Sequence, residues 1–77
     1  MHKIAIYSTP TCPYCHITKQ YFTDKKMAFE EFDVSSDQKK AKEMFDKSGQ
    51  LGVPVITIDD EVIVGFNKQR IEEMLLI

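Results

Sequence analysis

The chain has 77 residues, enough for one domain spanning 1–77 and no second. With 43% apolar residues, 29% charged residues and a net charge of −2, it is neither a disordered chain nor a polybasic nucleic-acid binder. No apolar run approaches the ~18 residues of a membrane span, and the first residues lack the apolar stretch and cleavage site of a signal peptide. The expected setting is therefore soluble and cytoplasmic, and nothing in the composition calls for more than a monomer. The two cysteines stand three positions apart, too close to staple a small secreted fold. In a reducing compartment such a pair is expected to be reactive.

Ile4 to Tyr7 is a short apolar run of strand formers and predicts a buried strand, which Ser8-Thr9-Pro10-Thr11 ends with turn chemistry. Cys12-Pro13-Tyr14-Cys15 follows, and Pro13 suits the first turn of a helix, where a missing N–H costs nothing. That helix is expected to run to about Lys26. Cys15, Thr18 and Phe22 share one face with Tyr21 beside them, and Lys25 and Lys26 fall in the last turn, against the negative end of the helix dipole. Residues 28–34 predict a second strand with Phe32 and Val34 on one face. Ser35 followed by Gln38 reads as a capping box. The helix behind it carries Ala41, Met44, Phe45 and Ser48 on one side and a solvated run of charges on the others, and Gly49 ends it. Residues 53–58 predict a third strand with Pro54 near its start. Asp59-Asp60 makes a turn into a fourth strand at 61–64, so the last two strands form a hairpin. Gly65 breaks the pattern. Asn67 is placed to cap a final helix, with Phe66 and Ile71 as a hydrophobic staple and Ile71, Met74 and Leu75 as the apolar stripe.

The order β-α-β-α-β-β-α belongs to the α/β class. The βαβ unit requires two parallel strands and the hairpin adds antiparallel ones, giving a four-stranded mixed sheet covered by three helices.

The chemistry concentrates where the first strand meets the first helix. A helix N-terminus presents free N–H groups and partial positive charge, which stabilise a thiolate. Cys12, at or near the cap, is expected to be the exposed sulfur with a depressed pKa. Cys15, one turn in on the core-facing stripe, is expected to be shielded. Cys12 would then attack a substrate disulfide and Cys15 would resolve the mixed disulfide. A C-x-x-C pair at such a junction of a βαβ unit is a redox signature. The Val53-Pro54 bond is a candidate for the cis form, which would turn the Val53 backbone toward the cysteines and let an extended substrate pair with it.

With these residues in place the chain resembles a glutaredoxin. Cys12-Pro13-Tyr14-Cys15 is the dithiol motif of that family. Ile6-Tyr7, Val53-Pro54 and Gly65 fall where the family has them. The resemblance implies the thioredoxin fold, a cis proline at Pro54, disulfide exchange, and no tightly bound cofactor. It also implies a substrate or glutathione groove made by Thr11, Tyr14, Val53, Pro54, Gly65, Phe66 and Asn67. Two features depart from the glutathione-using members. Thr9 stands where they usually carry a Lys, and Val64-Gly65-Phe66-Asn67-Lys68 replaces their Gly-Gly followed by Cys/Ser-Asp. Gly65-Phe66 before a polar helix start is similar to the NrdH-redoxins, which draw electrons from thioredoxin reductase and serve ribonucleotide reductase. Those usually carry other residues than Pro13-Tyr14 between the cysteines. The expected partners are accordingly disulfide-containing proteins, ribonucleotide reductase among them, and either glutathione or a flavoprotein reductase as electron donor.

Three other readings compete. Cys12 to His16 matches the c-type haem attachment pattern, but haem attachment implies export and leaves Val53-Pro54 unexplained. Structural zinc needs four ligands, and beyond the two cysteines only His2 and His16 are available in kind. A non-catalytic binding module on the same fold would keep its partner when Cys12 becomes serine, whereas an enzyme would lose activity.

Overall fold

In a computed structural model, which describes residues 3–75, seven elements follow the expected order. They are β1 (Ile4–Ser8), α1 (Pro13–Asp24), β2 (Glu30–Asp33), α2 (Gln38–Ser48), β3 (Val55–Ile58), β4 (Glu61–Val64) and α3 (Lys68–Leu75). The sheet runs β2-β1-β3-β4. β1 is parallel to β2 and antiparallel to β3, and β3 is antiparallel to β4. This is the thioredoxin arrangement.

Strand alternation decides which helix covers which face. Ile4, Ile6, Ile56, Ile58 and Ile63 point to one side, where they meet Phe22 of α1 and Ile71 and Leu75 of α3. Tyr7 and Val55 point to the other, where Met44 is the buried residue of α2. Phe32 and Val34 flank this second, smaller cluster, on one face as expected.

Four local expectations change. First, α1 ends at Asp24. The Met27 N–H donates to the Phe22 carbonyl (3.0 Å) and the Lys26 N–H to the Thr23 carbonyl (3.0 Å), with Lys26 at φ 58°. That is a Schellman stop, which wraps the chain so that Met27 packs on the cluster holding Phe22. Lys25 and Lys26 therefore lie beyond the last turn. Second, β2 and β3 are shorter than expected. Residues 28 and 29 precede β2, and Val53 and Pro54 precede β3. Third, the cap of α2 is Asp37, whose carboxylate accepts the Lys40 N–H (3.1 Å). Ser35 instead donates its N–H (2.9 Å) and its hydroxyl to the Asp33 carboxylate, closing an Asx turn one step earlier. Fourth, Phe45 is 47% exposed, so the apolar stripe of α2 is narrower than its periodicity suggests.

Other expectations hold. Gly49 ends α2 in the left-handed conformation (φ 76°), and its N–H donates to the Phe45 carbonyl. Asp59 and Asp60 both take positive φ, 50° and 74°, as a tight hairpin turn requires. Asn67 caps α3, its side-chain oxygen accepting the Arg70 N–H (3.1 Å), and Phe66 packs on the cluster that contains Ile71.

Candidate functional site

Strand directions bring four chain segments to one end of the sheet. Tyr7 pairs with Val55, Val55 with Val64, and Ser8 with Asp33. The end of β1, the start of β3 and the ends of β2 and β4 therefore lie side by side. Cys12 follows the first, Pro54 precedes the second, and Gly65 follows the last.

Between β1 and α1 the chain turns through Thr9, whose carbonyl accepts the Cys12 N–H (3.3 Å). Cys12 is the N-cap of α1, in extended conformation (φ −91°, ψ 112°), with Pro13 opening the helix. Its sulfur accepts the Cys15 N–H at 3.1 Å. A thiol replaces the usual hydroxyl or carboxylate in the cap, so a free donor of the first turn points at sulfur. The two cysteines form a disulfide with Cα atoms 5.2 Å apart, well within the span of a bridge. Cys15 is fully buried, while Cys12 is half-buried. Thr18, one turn deeper, donates its hydroxyl to the Tyr14 carbonyl (2.7 Å), which ties the first turn of the helix down. The His16 Nε2–H donates to the Pro10 carbonyl (3.0 Å), clasping the loop that precedes Cys12.

A groove of about 350 Å³ is lined by Tyr14, Val53, Pro54, Gly65 and Phe66. The Val53-Pro54 bond is cis. The Pro54 carbonyl accepts the Gly65 N–H (2.8 Å), which joins two of the groove's segments through backbone. Gly65 needs φ +78°, a conformation that a side chain disfavours. Tyr14 stands 63% exposed over the groove. None of the five lining residues is charged. Of the sequence-derived candidates, Thr11 is exposed ahead of Cys12 and Asn67 is occupied as a cap, and neither lines the groove.

A second cleft of about 230 Å³ opens on the other side of the loop, among Ser8, Thr9, Pro10, His16, Lys19, Glu31 and Asp33. Its charged groups are already engaged. Lys19 pairs with Glu31, and hydrogen bonds from Ser35 hold the Asp33 carboxyl below its usual range. Among the described residues no three His, Cys, Asp or Glu side chains gather as a metal site would need, and His2 lies outside those residues. No helix of the described chain is long and apolar enough to cross a membrane.

One contact at the site had no signal in the sequence. Phe66 lies edge-on to Tyr21 of α1, ring centroids 5.7 Å apart at 67°. The pair is separated by 45 positions, so no local spacing could report it.

Residues 4–63 match the family model described as Glutaredoxin. A Clostridium pasteurianum protein described as an uncharacterized glutaredoxin-like 8.6 kDa protein in rubredoxin operon is 50% identical over 72 residues, 94% of this chain and 96% of that one. Glutaredoxin 3 of Escherichia coli (strain K12) is 38% identical over 65 residues, 84% of this chain and 78% of that protein. Among solved structures, a variant of the thioredoxin-like protein BC3987 superposes with a TM-score of 0.91 at 34% identity, covering 100% of this chain and 99% of that one. The glutaredoxin-like protein NrdH-redoxin from Escherichia coli superposes with a TM-score of 0.82 at 25% identity, covering 92% of each chain.

Proposed function

The chain belongs to the glutaredoxin family and is a thiol–disulfide oxidoreductase, and from that premise we propose that Cys12 is its attacking sulfur, Cys15 the resolving sulfur, and the uncharged groove beside them the seat of an extended protein segment carrying the substrate disulfide. One observation carries the role assignment. The Cys12 sulfur sits at the helix cap and accepts the Cys15 N–H, while Cys15 is fully buried. The Cys12 thiolate attacks one substrate sulfur and forms a mixed disulfide, and the departing sulfur takes a proton. Cys15 gives up its proton and attacks Cys12, so the second substrate sulfur leaves as thiol. Two electrons pass to the substrate and the protein keeps the Cys12–Cys15 disulfide. This exchange needs no tightly bound cofactor. Tyr14, Gly65 and Phe66 flank the bound segment, and the Val53 backbone pairs with it.

The groove's composition favours one electron donor. Glutathione carries two carboxylates and an ammonium group, and no charged side chain lines the groove to receive them. We therefore assign reduction of the disulfide to a flavoprotein of the thioredoxin-reductase type. The substrates are disulfide proteins of the cytoplasm, with ribonucleotide reductase as the candidate to try first.

Cys15→Ser protein, offered a disulfide protein, is expected to accumulate as a mixed disulfide through Cys12, and Cys12→Ser protein is expected to be inert. Capture through Cys15 would overturn the roles, and a Cys12→Ser protein that kept its activity would overturn the chemistry. Re-reduction of the oxidised protein by NADPH should be fast with thioredoxin reductase and slow with glutathione and glutathione reductase. The reverse order would make glutathione the donor.

A further inference from the structure

Tyr14 and Phe66 both line the groove, and Phe66 is held by a residue that does not line it at all. Tyr21 stands seven positions after Tyr14, two turns and about 10 Å along the same helix face. Its ring meets Phe66 edge-on at 5.7 Å and Phe22 edge-on at 5.4 Å. Phe22 is fully buried, so it anchors Tyr21 to the core. The Tyr21 hydroxyl donates to Glu72 of α3 (3.3 Å), and the Lys25 ammonium lies over its ring at 5.7 Å. Tyr21 is thus fixed from three sides, and its remaining edge bears on Phe66.

The backbone under Phe66 is set independently, by the Gly65 N–H on the Pro54 carbonyl. That bond fixes where Phe66 begins, while the ring itself lies between the cluster holding Ile71 and the Tyr21 edge. The ring's position, and with it the width of the groove, needs a side-chain contact, and Tyr21 supplies one.

We propose that Tyr21 is a positioning residue for substrate recognition: braced on Phe22 and Glu72, it holds the Phe66 ring in place as a wall of the groove, and so selects extended peptide disulfides over small ones. This rests on the groove's being the substrate seat.

The test uses pre-reduced full-length protein, which removes the electron donor from the experiment. Oxidation is followed with two substrates, insulin, whose disulfides lie in peptide, and bis(2-hydroxyethyl) disulfide, too small to span the groove. Tyr21→Leu keeps apolar volume without the ring. An aromatic pair contributes about 0.5–1.5 kcal/mol beyond burial, so this variant is expected to lose about two- to thirteenfold in rate at subsaturating insulin. The small disulfide should be reduced at the wild-type rate. Tyr21→Phe keeps the ring and should restore most of the loss. Equal loss on both substrates would mean that Tyr21 supports the cysteines or the fold, and would overturn the proposal. So would a Tyr21→Leu protein that discriminates like wild type. A second readout, NMR of the Phe66 ring, does not depend on activity. Its resonances should broaden or average in Tyr21→Leu and stay as in wild type in Tyr21→Phe. A Phe66 ring that is unmoved in Tyr21→Leu refutes the brace even if neither substrate reacts. Wild-type protein that reduces neither substrate would overturn the proposed function, and with the ring effect intact it would leave Tyr21 a structural brace with no part in recognition.

Discussion

The Tyr7 hydroxyl donates to Glu43 at 2.8 Å, and the same carboxylate takes the ammonium groups of Lys40 (3.1 Å) and Lys47 (3.4 Å). The Tyr7 hydrogen bond, then Lys40, hold the Glu43 carboxyl below its usual range. A carboxyl whose folded pKa lies under its unfolded one stabilises the fold above the unfolded value, about 4.3 for Glu. That contribution is lost as pH falls through the folded value. Wild-type protein should therefore lose part of its stability between about pH 5 and the folded pKa, and Tyr7→Phe should lose less of it there. At neutral pH the Tyr7→Phe change should cost about 1 kcal/mol, read as a lower urea midpoint at unchanged slope. A variant as stable as wild type at both pH values would remove the bond from the account. This pair shows where sequence reading stops at the level of single residues. The spacing of Cys12 and Cys15 declared their chemistry, because a helix cap and its first turn are local. Tyr7 and Glu43 lie 36 positions apart and meet only after α2 has docked on the sheet.

Helix ends were legible where a residue type has one physical use and misread where two neighbours could serve. Gly49 and Asn67 each closed or opened a helix as expected. Ser35 and Asp37 both suit a cap, and the carboxylate takes the position because Ser35 is drawn back onto Asp33. Asp37→Ala should therefore cost about 1 kcal/mol, whereas Ser35→Ala should leave the helix cap intact. Comparison of the two in thermal unfolding checks this, and the larger loss in Ser35→Ala would restore the capping box. The end of α1 was misread because no glycine marks it. Lys26 sits at φ 58°, where a non-glycine residue is disfavoured by about 1–2 kcal/mol, partly offset by glycine's greater chain entropy. Lys26→Gly should raise stability by up to about 1 kcal/mol, and a fall instead would mean that the lysine side chain stabilises the stop. Gly65→Ala presents the opposite case. A Cβ would meet nothing within 4 Å, yet φ +78° makes the change unfavourable by about 1–2 kcal/mol.

Across the whole molecule the two faces of the sheet are unequally filled. Eight buried residues join β1, β3, β4, α1 and α3 into one cluster. On the α2 face the buried cluster is Tyr7, Met44 and Val55, with only the small Ala5 and Thr57 buried beside it among the described residues. Met44 alone anchors its helix from within, and Met44→Ala should cost about 2–5 kcal/mol. Because the site rests on the other cluster, α2 should open first. Amide hydrogen exchange should be faster in α2 than in α1, and faster still in Met44→Ala while the buried middle of α1, around Thr18 and Phe22, keeps its protection. Uniform acceleration would mean that the two faces unfold together. The overall order of elements was readable from the chain because each strand carries its own burial pattern, but this inequality was not, since Phe45 counts as core by periodicity and lies half outside. The sheet's outer strands carry a further consequence. β2 begins with Glu30, and β4 begins with Glu61 just after Asp60, all exposed. Two copies approaching rim to rim would bring like charges together, a barrier that guards an open backbone ladder against adhesion. Neutralising those carboxylates, by acid or by Gln and Asn substitution, should make concentrated solutions turn cloudy before any loss of fold.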